Sequence, residues 1–245
     1  MTYPHLVLPL HATRVPLMRQ ARAAGLCAWR IVVGWLMAWG LACAPLSARA
    51  FDADTMLRAA ARHGPRAVAG VRALQAALAS LDGADDATRL RVINDFFNRR
   101  IEFKTDQEVW GVDDYWASPL EMLGKGAGDC EDYVIGKYFS LLVAGVPVSK
   151  MRLVYVRATL GGPAGIVAAH MVLAYYPASG AEPLVLDNLI AEIRPAHQRP
   201  DLAPVFSFNG EGLWQGVSER RASDPAGRLS PWREVMDKAR AEGFL

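Results

Sequence analysis

Acidic residues are absent from the first fifty positions of this sequence, and the same stretch contains five arginines. Four of those arginines precede an apolar run from Ile31 to Ala44, which is shorter than the roughly 20 residues needed to span a bilayer. Small residues, Ala48 and Ala50, follow. This order is typical of a secretory signal peptide, so we predict cleavage after Ala50, with Met1 or Met18 as the start.

Two alternatives to a cleaved signal remain open. An uncleaved membrane anchor is disfavoured by the shortness of the apolar run. A lipoprotein is disfavoured because Gly40 stands where the signal preceding Cys43 requires leucine. With cleavage, residues 51–245 are predicted to form one exported domain, because a chain of this length buries a single good core.

The sequence also lacks a strong excess of positive charge outside that leader. The whole chain has 27 basic and 25 acidic residues, and removal of the five leader arginines leaves 22 basic residues and a formal net charge of −3. Nucleic-acid binding requires a clustered basic face. We therefore predict that nucleic acid is not a partner.

Cysteine is scarce, since Cys27 and Cys43 belong to the leader and Cys130 is alone in the rest of the chain. Cys130 consequently has no partner for an intramolecular disulfide, although the chain is predicted to enter an oxidising compartment. A leftover cysteine in an exported chain is either reactive or buried and inert. The residues around Cys130 therefore have to indicate whether it is reactive or inert.

Hydrophobic periodicity predicts helices first and strands afterwards, which favours an α+β fold. Ser118, Pro119 and Glu121 carry the signature of a capped helix start. The predicted helices cover 54–63, 65–81, 86–100 and 130–144, with a last helix opening at Ser230. The predicted strands cover 151–159, 167–176 and 183–187, with two more near 204–208 and 212–216.

The segment before Cys130 favours a reactive thiol. A glycine-rich loop, Gly124 to Gly128, places Cys130 in the first turn of a helix, where free backbone N–H groups favour negative charge. Asp129, Glu131 and Asp132 oppose a thiolate unless a cation neutralises them.

Calcium is the natural cation for such a cluster, because it prefers hard oxygen ligands. Asp129 and Glu131 flank the thiol and can turn toward one ion, and Asp113 or Asp114 can add a ligand from the preceding loop. The alternative is a solvated acidic helix terminus without metal.

A catalytic cysteine needs a base, and residues 51–245 contain three histidines. His63 stands at a helix end and His197 in a proline-rich loop, whereas His170 lies inside an apolar strand. His170 is therefore either a satisfied core residue or the base. Asp187, at the end of the following apolar strand, has the position of an orienting carboxylate.

These residues resemble the bacterial transglutaminase-like cysteine proteinase family, the periplasmic proteases of the LapG type. The resemblance rests on the segments Asp114–Glu121, Gly126–Tyr133, Ala169–Leu173 and Leu186–Asn188, and it covers roughly residues 85–215. It implies a transglutaminase-like or papain-like fold with N-terminal helices on an antiparallel sheet. It also implies a triad of Cys130, His170 and Asp187.

The resemblance implies a calcium-dependent periplasmic endopeptidase, with Asp129, Glu131 and Asp113 as candidate calcium ligands. Its implied substrate is the N-terminal region of a large repeat adhesin, whose release disperses biofilm. Its implied inhibitor is an inner-membrane receptor for cyclic di-GMP. Two other functions stay open: acyl transfer to an amine, and a calcium-binding interaction module with an inert cysteine.

Overall fold

The computed structural model describes residues 52–162, 164–217 and 230–245. The predicted signal peptide at 1–50 lies outside the described residues, so its cleavage stays a prediction. The chain from Ala50 to Leu245 clusters as one compact unit. Within the described ranges, every helix is too short or too polar to cross a membrane.

Three helices open the described chain: α1 (Ala53–Arg62), α2 (Pro65–Ala79) and α3 (Asp86–Arg100). Aspartates begin two of them, because the side chain of Asp52 accepts from the Thr55 N–H and that of Asp85 accepts from the Thr88 N–H. Between α1 and α2 the chain turns at Gly64, whose φ is 93°, and Pro65 takes the first helical position. Each helix turns one apolar face into a shared core.

Short elements connect these helices to the rest of the chain. Strand β1 (Glu102–Phe103), helix α4 (Asp106–Val109), helix α5 (Pro119–Lys125) and strand β2 (Ala127–Gly128) precede the longer helix α6 (Cys130–Val143). Strands β1 and β2 pair in parallel, with Phe103 opposite Gly128. This small pairing holds the chain just before Cys130.

The main sheet has six strands in the order β6-β5-β4-β3-β7-β8, and every pairing in it is antiparallel. Its two longest strands, β3 (Met151–Leu160) and β4 (Ile166–Tyr175), pair along their full length. The remaining strands are β5 (Leu184–Leu186), β6 (Arg194–Pro195), β7 (Leu202–Phe208) and β8 (Leu213–Gln215). Strand β5 pairs with only the last three residues of β4.

Helix α6 packs on β4 in the centre of the molecule, and nearly all of its residues are buried. The last helix, α7 (Ser230–Ala241), closes the core with an aromatic cluster. In that cluster Trp232 stacks on Phe139 at 5.7 Å and meets Tyr138 and Phe208 edge to face. The predicted α+β architecture, with N-terminal helices on an antiparallel sheet, is confirmed.

Candidate active site

The loop that leads to Cys130 is fixed at both ends by local hydrogen bonds. Ser118 and Glu121 form a capping box at the start of α5, because each side chain accepts from the other residue's backbone N–H. Helix α5 ends at Gly126, whose φ of 67° is left-handed and therefore favours glycine. Four residues after Gly126 the chain enters α6, and Cys130 is its first residue.

Asp132 ties this loop to the segment before α5. Its carboxylate is completely buried and accepts from the Ala117 N–H at 2.8 Å. It also lies so close to Gly128 that a Cβ there would come within 2.6 Å of its Oδ2. Glycine at 128 thus permits a close approach that fixes the backbone around the thiol.

The thiol of Cys130 is partly buried, and its Sγ donates to Glu131 Oε2 at 3.0 Å. Burial raises the pKa of Cys130 well above its usual range, and the charges of Glu131 and Asp129 raise it further. A hydrogen bond from the Met171 N–H acts in the opposite direction. The acids beside the thiol therefore favour the neutral form unless a cation offsets them.

His170 and Asp187 form a buried pair. Nε2 of His170 lies 2.8 Å from Asp187 Oδ1, and the two residues are only 6% and 1% exposed. Burial alone would raise the pKa of Asp187, but hydrogen bonds from His170 and Arg199 outweigh it and lower the pKa to about 2. Asp187 is thus an ionised partner for the imidazole.

The thiol and this pair meet at strand β4. The Met171 N–H that contacts the Cys130 thiol belongs to the residue immediately after His170. Nε2 is the ring nitrogen of His170 that is engaged with Asp187, and Nδ1 is the nitrogen that this pair leaves unused. The structure therefore brings all three predicted catalytic residues to one place, where α6 starts beside β4 and the end of β5.

The other two histidines of the described chain lie away from this place. His63 follows the last residue of α1 as its C-cap, as predicted. His197 is exposed, and its Nδ1 pairs with Glu182 at 2.8 Å. Neither has the buried setting of His170.

Sequence reasoning missed the groups that hold Asp187 from behind. Arg199 Nη2 donates to Asp187 Oδ2 at 2.7 Å, and Lys137 Nζ donates to the Asp187 backbone carbonyl at 3.0 Å. Asn98 donates to the same carbonyl at 2.8 Å. Lys137 could have been noticed in the sequence, because it is a charged residue in the middle of the apolar helix α6. Arg199 could not, because it lies in the same proline-rich loop as His197 and nothing local marks it.

Five carboxylates cluster beside Cys130 in overlapping groups whose ligand atoms lie within 4.8 Å of one another. None of them is ion-paired with a basic residue within the described ranges. Asp113 is exposed and belongs to none of the groups found in this part of the chain, whereas its neighbour Asp114 belongs to one of them. The members are Asp106, Asp114, Asp129, Glu131 and Asp132.

The donor set fits a hard cation. Buried oxygens of Asp106, Asp129 and Asp132 have no hydrogen-bond partner. Burial and the charge of Glu131 raise the pKa of Asp129 to about 9. Unpartnered carboxylate oxygens this close together are the ligands that Ca²⁺ takes.

A cysteine at a helix start, packed on an antiparallel sheet beside a buried histidine–aspartate pair, defines the class of papain-like and transglutaminase-like cysteine peptidases. The model of the bacterial transglutaminase-like cysteine proteinases (BTLCP) matches residues 72–203. This chain belongs to that family and is a transglutaminase-like cysteine protease.

Solved structures of LapG from Legionella pneumophila agree with this assignment. One of them is 35% identical, covers 76% of this chain and 96% of its own, and has a TM-score of 0.64. An EGTA-treated form with the same identity and coverage has a TM-score of 0.66. A calcium-bound form, also 35% identical, covers 76% of this chain and 98% of its own with a TM-score of 0.64. No curated protein matches the sequence.

Proposed function

We propose that this chain is an exported, calcium-dependent cysteine endopeptidase in which Cys130 is the nucleophile, His170 the base and Asp187 the orienting carboxylate. The observation that carries the proposal is that the buried His170–Asp187 pair lies at β4, where the backbone of Met171, the residue after His170, acts on the Cys130 thiol. A nucleophile, a base and an orienting carboxylate are the groups that acyl transfer requires.

In the proposed reaction, the proton of the Cys130 thiol moves to His170, and the sulfur attacks the carbonyl carbon of the scissile peptide. The carbon–nitrogen bond then breaks, and the leaving amine takes the proton from the imidazolium. Water then attacks the thioester carbon and gives a proton to His170, the carbon–sulfur bond breaks to release the carboxylic acid product, and His170 returns the proton to the sulfur of Cys130. Asp187 keeps the imidazole in one orientation and stabilises its positive charge throughout.

The start of α6 supplies the electrostatic part of the site. The Cys130 N–H belongs to the first turn, whose N–H groups have no acceptor within the helix. That donor and the helix dipole are suited to an oxyanion forming beside Sγ.

Calcium is assigned to the carboxylate cluster, with Asp129 and Glu131 as ligands and Asp106 and Asp114 completing the set. The unpartnered buried oxygens support this assignment. A bound divalent cation supplies the positive charge that neutralises the acids beside the thiol. With the cation bound, the carboxylates of Asp129 and Glu131 would remain ionised on both sides of Cys130.

The natural substrate is a polypeptide, and the family resemblance favours the N-terminal region of a large repeat adhesin whose release disperses biofilm. The leader predicted at residues 1–50 supports a periplasmic location for the enzyme. An inner-membrane cyclic di-GMP receptor is the proposed inhibitor.

Cleavage of the purified N-terminal region of such an adhesin tests the catalytic part of the proposal. We expect Cys130→Ala and His170→Gln to abolish cleavage while leaving the circular dichroism spectrum unchanged. His197→Gln is the matched control, because that histidine is exposed and pairs only with Glu182 among the described residues, and it should cleave normally. Full cleavage by Cys130→Ala would refute the proposed nucleophile.

The metal part is tested separately with the wild-type protein. We expect a chelator to suppress cleavage and added Ca²⁺, but not equimolar Mg²⁺, to restore it, since Mg²⁺ demands near-octahedral geometry and retains waters. Cleavage that survives chelation would refute the calcium dependence and leave the triad untouched.

A further inference from the structure

Arg199 lies behind the histidine–aspartate pair and is only 3% exposed. It follows a short 3-10 turn, Ala196–Gln198, in the connection between β6 and β7. Its Nη2 donates to Asp187 Oδ2 at 2.7 Å. The same guanidinium contacts Asp201 through Nε at 3.0 Å and through Nη2 at 2.8 Å.

The two oxygens of Asp187 are divided between two functions. Oδ1 receives His170 Nε2 at 2.8 Å and the backbone N–H groups of Asn188 and Leu189 at 2.7 and 3.1 Å. Oδ2 receives Arg199. Rotation of the carboxylate about its last torsion would exchange these oxygens, and it would break the Arg199 contact as well as the His170 contact.

Contribution to stability is a poor explanation for this arginine. Its Nη1 is buried and has no hydrogen-bond partner in the described parts of the chain. Burial of a guanidinium with an unused donor carries a desolvation penalty that the ion pair must offset. A residue of this kind is better explained by what it does to Asp187.

The other charged groups around Asp187 do not duplicate this contact. Lys137, from α6, donates to the backbone carbonyl of Asp187, and Asp201 is an acid that shares the Arg199 guanidinium and so gives Asp187 no cation. His170, from β4, holds the opposite oxygen. Arg199 is therefore the one cation among the described residues that contacts Oδ2.

We propose that Arg199 is a positioning residue that fixes the Asp187 carboxylate in the orientation in which Oδ1 holds His170. The proposal rests on the roles assigned to His170 and Asp187 above. Arg199 acts through Asp187 and has no contact with substrate. The planar guanidinium reaches Asp187 through Nη2 while Nε and Nη2 also hold Asp201, and because a lysine ammonium does not reproduce this fork, lysine should replace it only in part.

Two measurements on the full-length chain test this without any substrate. The first is the rate at which iodoacetamide alkylates Cys130, followed by mass spectrometry of the Cys130 peptide. For Arg199→Met, in the presence of Ca²⁺, we expect a loss on the order of 10- to 100-fold, because a misplaced imidazole no longer activates the thiol. Arg199→Lys should lie between the wild type and Arg199→Met.

The second measurement is the proton resonance of the hydrogen-bonded His170 Nε2–H as the pH is lowered. Removal of Arg199 takes a cation from Asp187 and raises the pKa of Asp187 from about 2. The resonance should therefore disappear at a higher pH in Arg199→Met than in the wild type. Arg194→Met is the matched control, since Arg194 is half-exposed and pairs with Glu192, and it should leave both measurements unchanged.

A double mutant separates positioning from a merely structural role. In the Asp187→Ala background, Arg199→Met should cause no further loss in the alkylation rate, because the group through which it acts is gone. A full additional loss, or a folded Arg199→Met with wild-type alkylation and resonance, would overturn the proposal. If Arg199→Met does not fold, Arg199→Lys replaces it in every comparison.

Failure of the proposed function has a different signature. Absence of adhesin cleavage by the wild-type protein would refute that function, whereas the resonance and the double mutant would still decide the role of Arg199.

Discussion

At the scale of single residues, the acids beside Cys130 are the feature that most needs a physical explanation. Asp129 and Glu131 raise the pKa of the thiol between them, which is unfavourable for a nucleophile. The same residues have the chemistry of calcium ligands. The acids that oppose a thiolate at Cys130 are thus the same groups that can bind a cation, and a bound cation would offset their negative charge.

Asp113 and Asp114 offer a matched pair for testing the ligand set. Asp114 shares a group with Asp106 and Glu131, whereas Asp113 is exposed and outside the groups found in the described ranges. We expect Asp114→Asn to weaken Ca²⁺ binding about tenfold or more in titration calorimetry, since a charged ligand is lost. Asp113→Asn should change the Ca²⁺ affinity less than about twofold. A larger loss of affinity in Asp113→Asn than in Asp114→Asn would refute the assignment of Asp114.

The proposed catalytic residues were accessible to sequence reasoning because each belongs to a local pattern. Cys130 follows a glycine loop at a helix start, and His170 and Asp187 interrupt or end apolar strands. Arg199 and Asp106 were not accessible, because their significance comes from contacts across the sheet and across the loop. Arg199 meets Asp187 only after the chain has passed through β6 and a 3-10 turn.

At the scale of elements, α5 is held by a residue from the end of the chain. Glu242, just beyond α7, accepts from the Ser118 hydroxyl and from the Leu120 N–H. Two free donors at the α5 start are thereby satisfied. The end of the chain thus holds α5, the element that leads directly into the Cys130 loop, although Ser118 and Glu242 lie 124 positions apart in the sequence.

Element prediction succeeded where periodicity was sustained and failed where tertiary contacts decide. Helix α3 begins and ends at the predicted residues, whereas β3 is one residue longer than predicted and β4 begins and ends one residue earlier than predicted. The segment 101–117 lies outside every predicted helix and strand, yet it contains β1 and α4. Strand β1 forms because it pairs with β2. A strand of two residues is too short to show a hydrophobic pattern, so the sequence does not predict this pairing.

Glu242 should make stability depend on pH. Burial raises its pKa to about 7, despite the hydrogen bonds from Ser118 and Leu120. A carboxyl whose pKa is raised on folding contributes stability below its unfolded pKa, near 4.5, and that contribution is lost as the pH rises through about 7.

Glu242→Gln should remove that dependence, because glutamine does not titrate. Between pH 5 and pH 8, we expect the free energy of unfolding of the variant to rise relative to the wild type by roughly 2–3 kcal/mol. Urea denaturation at a series of pH values measures this. His63, Glu121 and Lys238 surround the carboxyl. Asp237→Asn, on an exposed carboxylate of the adjacent helix α7, is the control and should keep the wild-type profile.

At the scale of the whole molecule, the carboxylate cluster joins three parts of the chain. Asp106 comes from α4, Asp114 from the loop before α5, and Asp129, Glu131 and Asp132 from the start of α6. Without a cation, these like charges repel one another and oppose the packing of the three segments. A cation that binds the folded cluster should therefore stabilise the entire domain by mass action.

Thermal unfolding of the wild-type protein measures this coupling. At a free Ca²⁺ concentration 100 times its Kd, ligand binding adds about 2.7 kcal/mol. For a domain of this size, that corresponds to a rise in Tm of roughly 5–10 °C over the EGTA-treated protein. Asp114→Asn, compared at the same concentration, should show a smaller rise. Equal rises in both proteins, or none in the wild type, would contradict a calcium site built from these three segments.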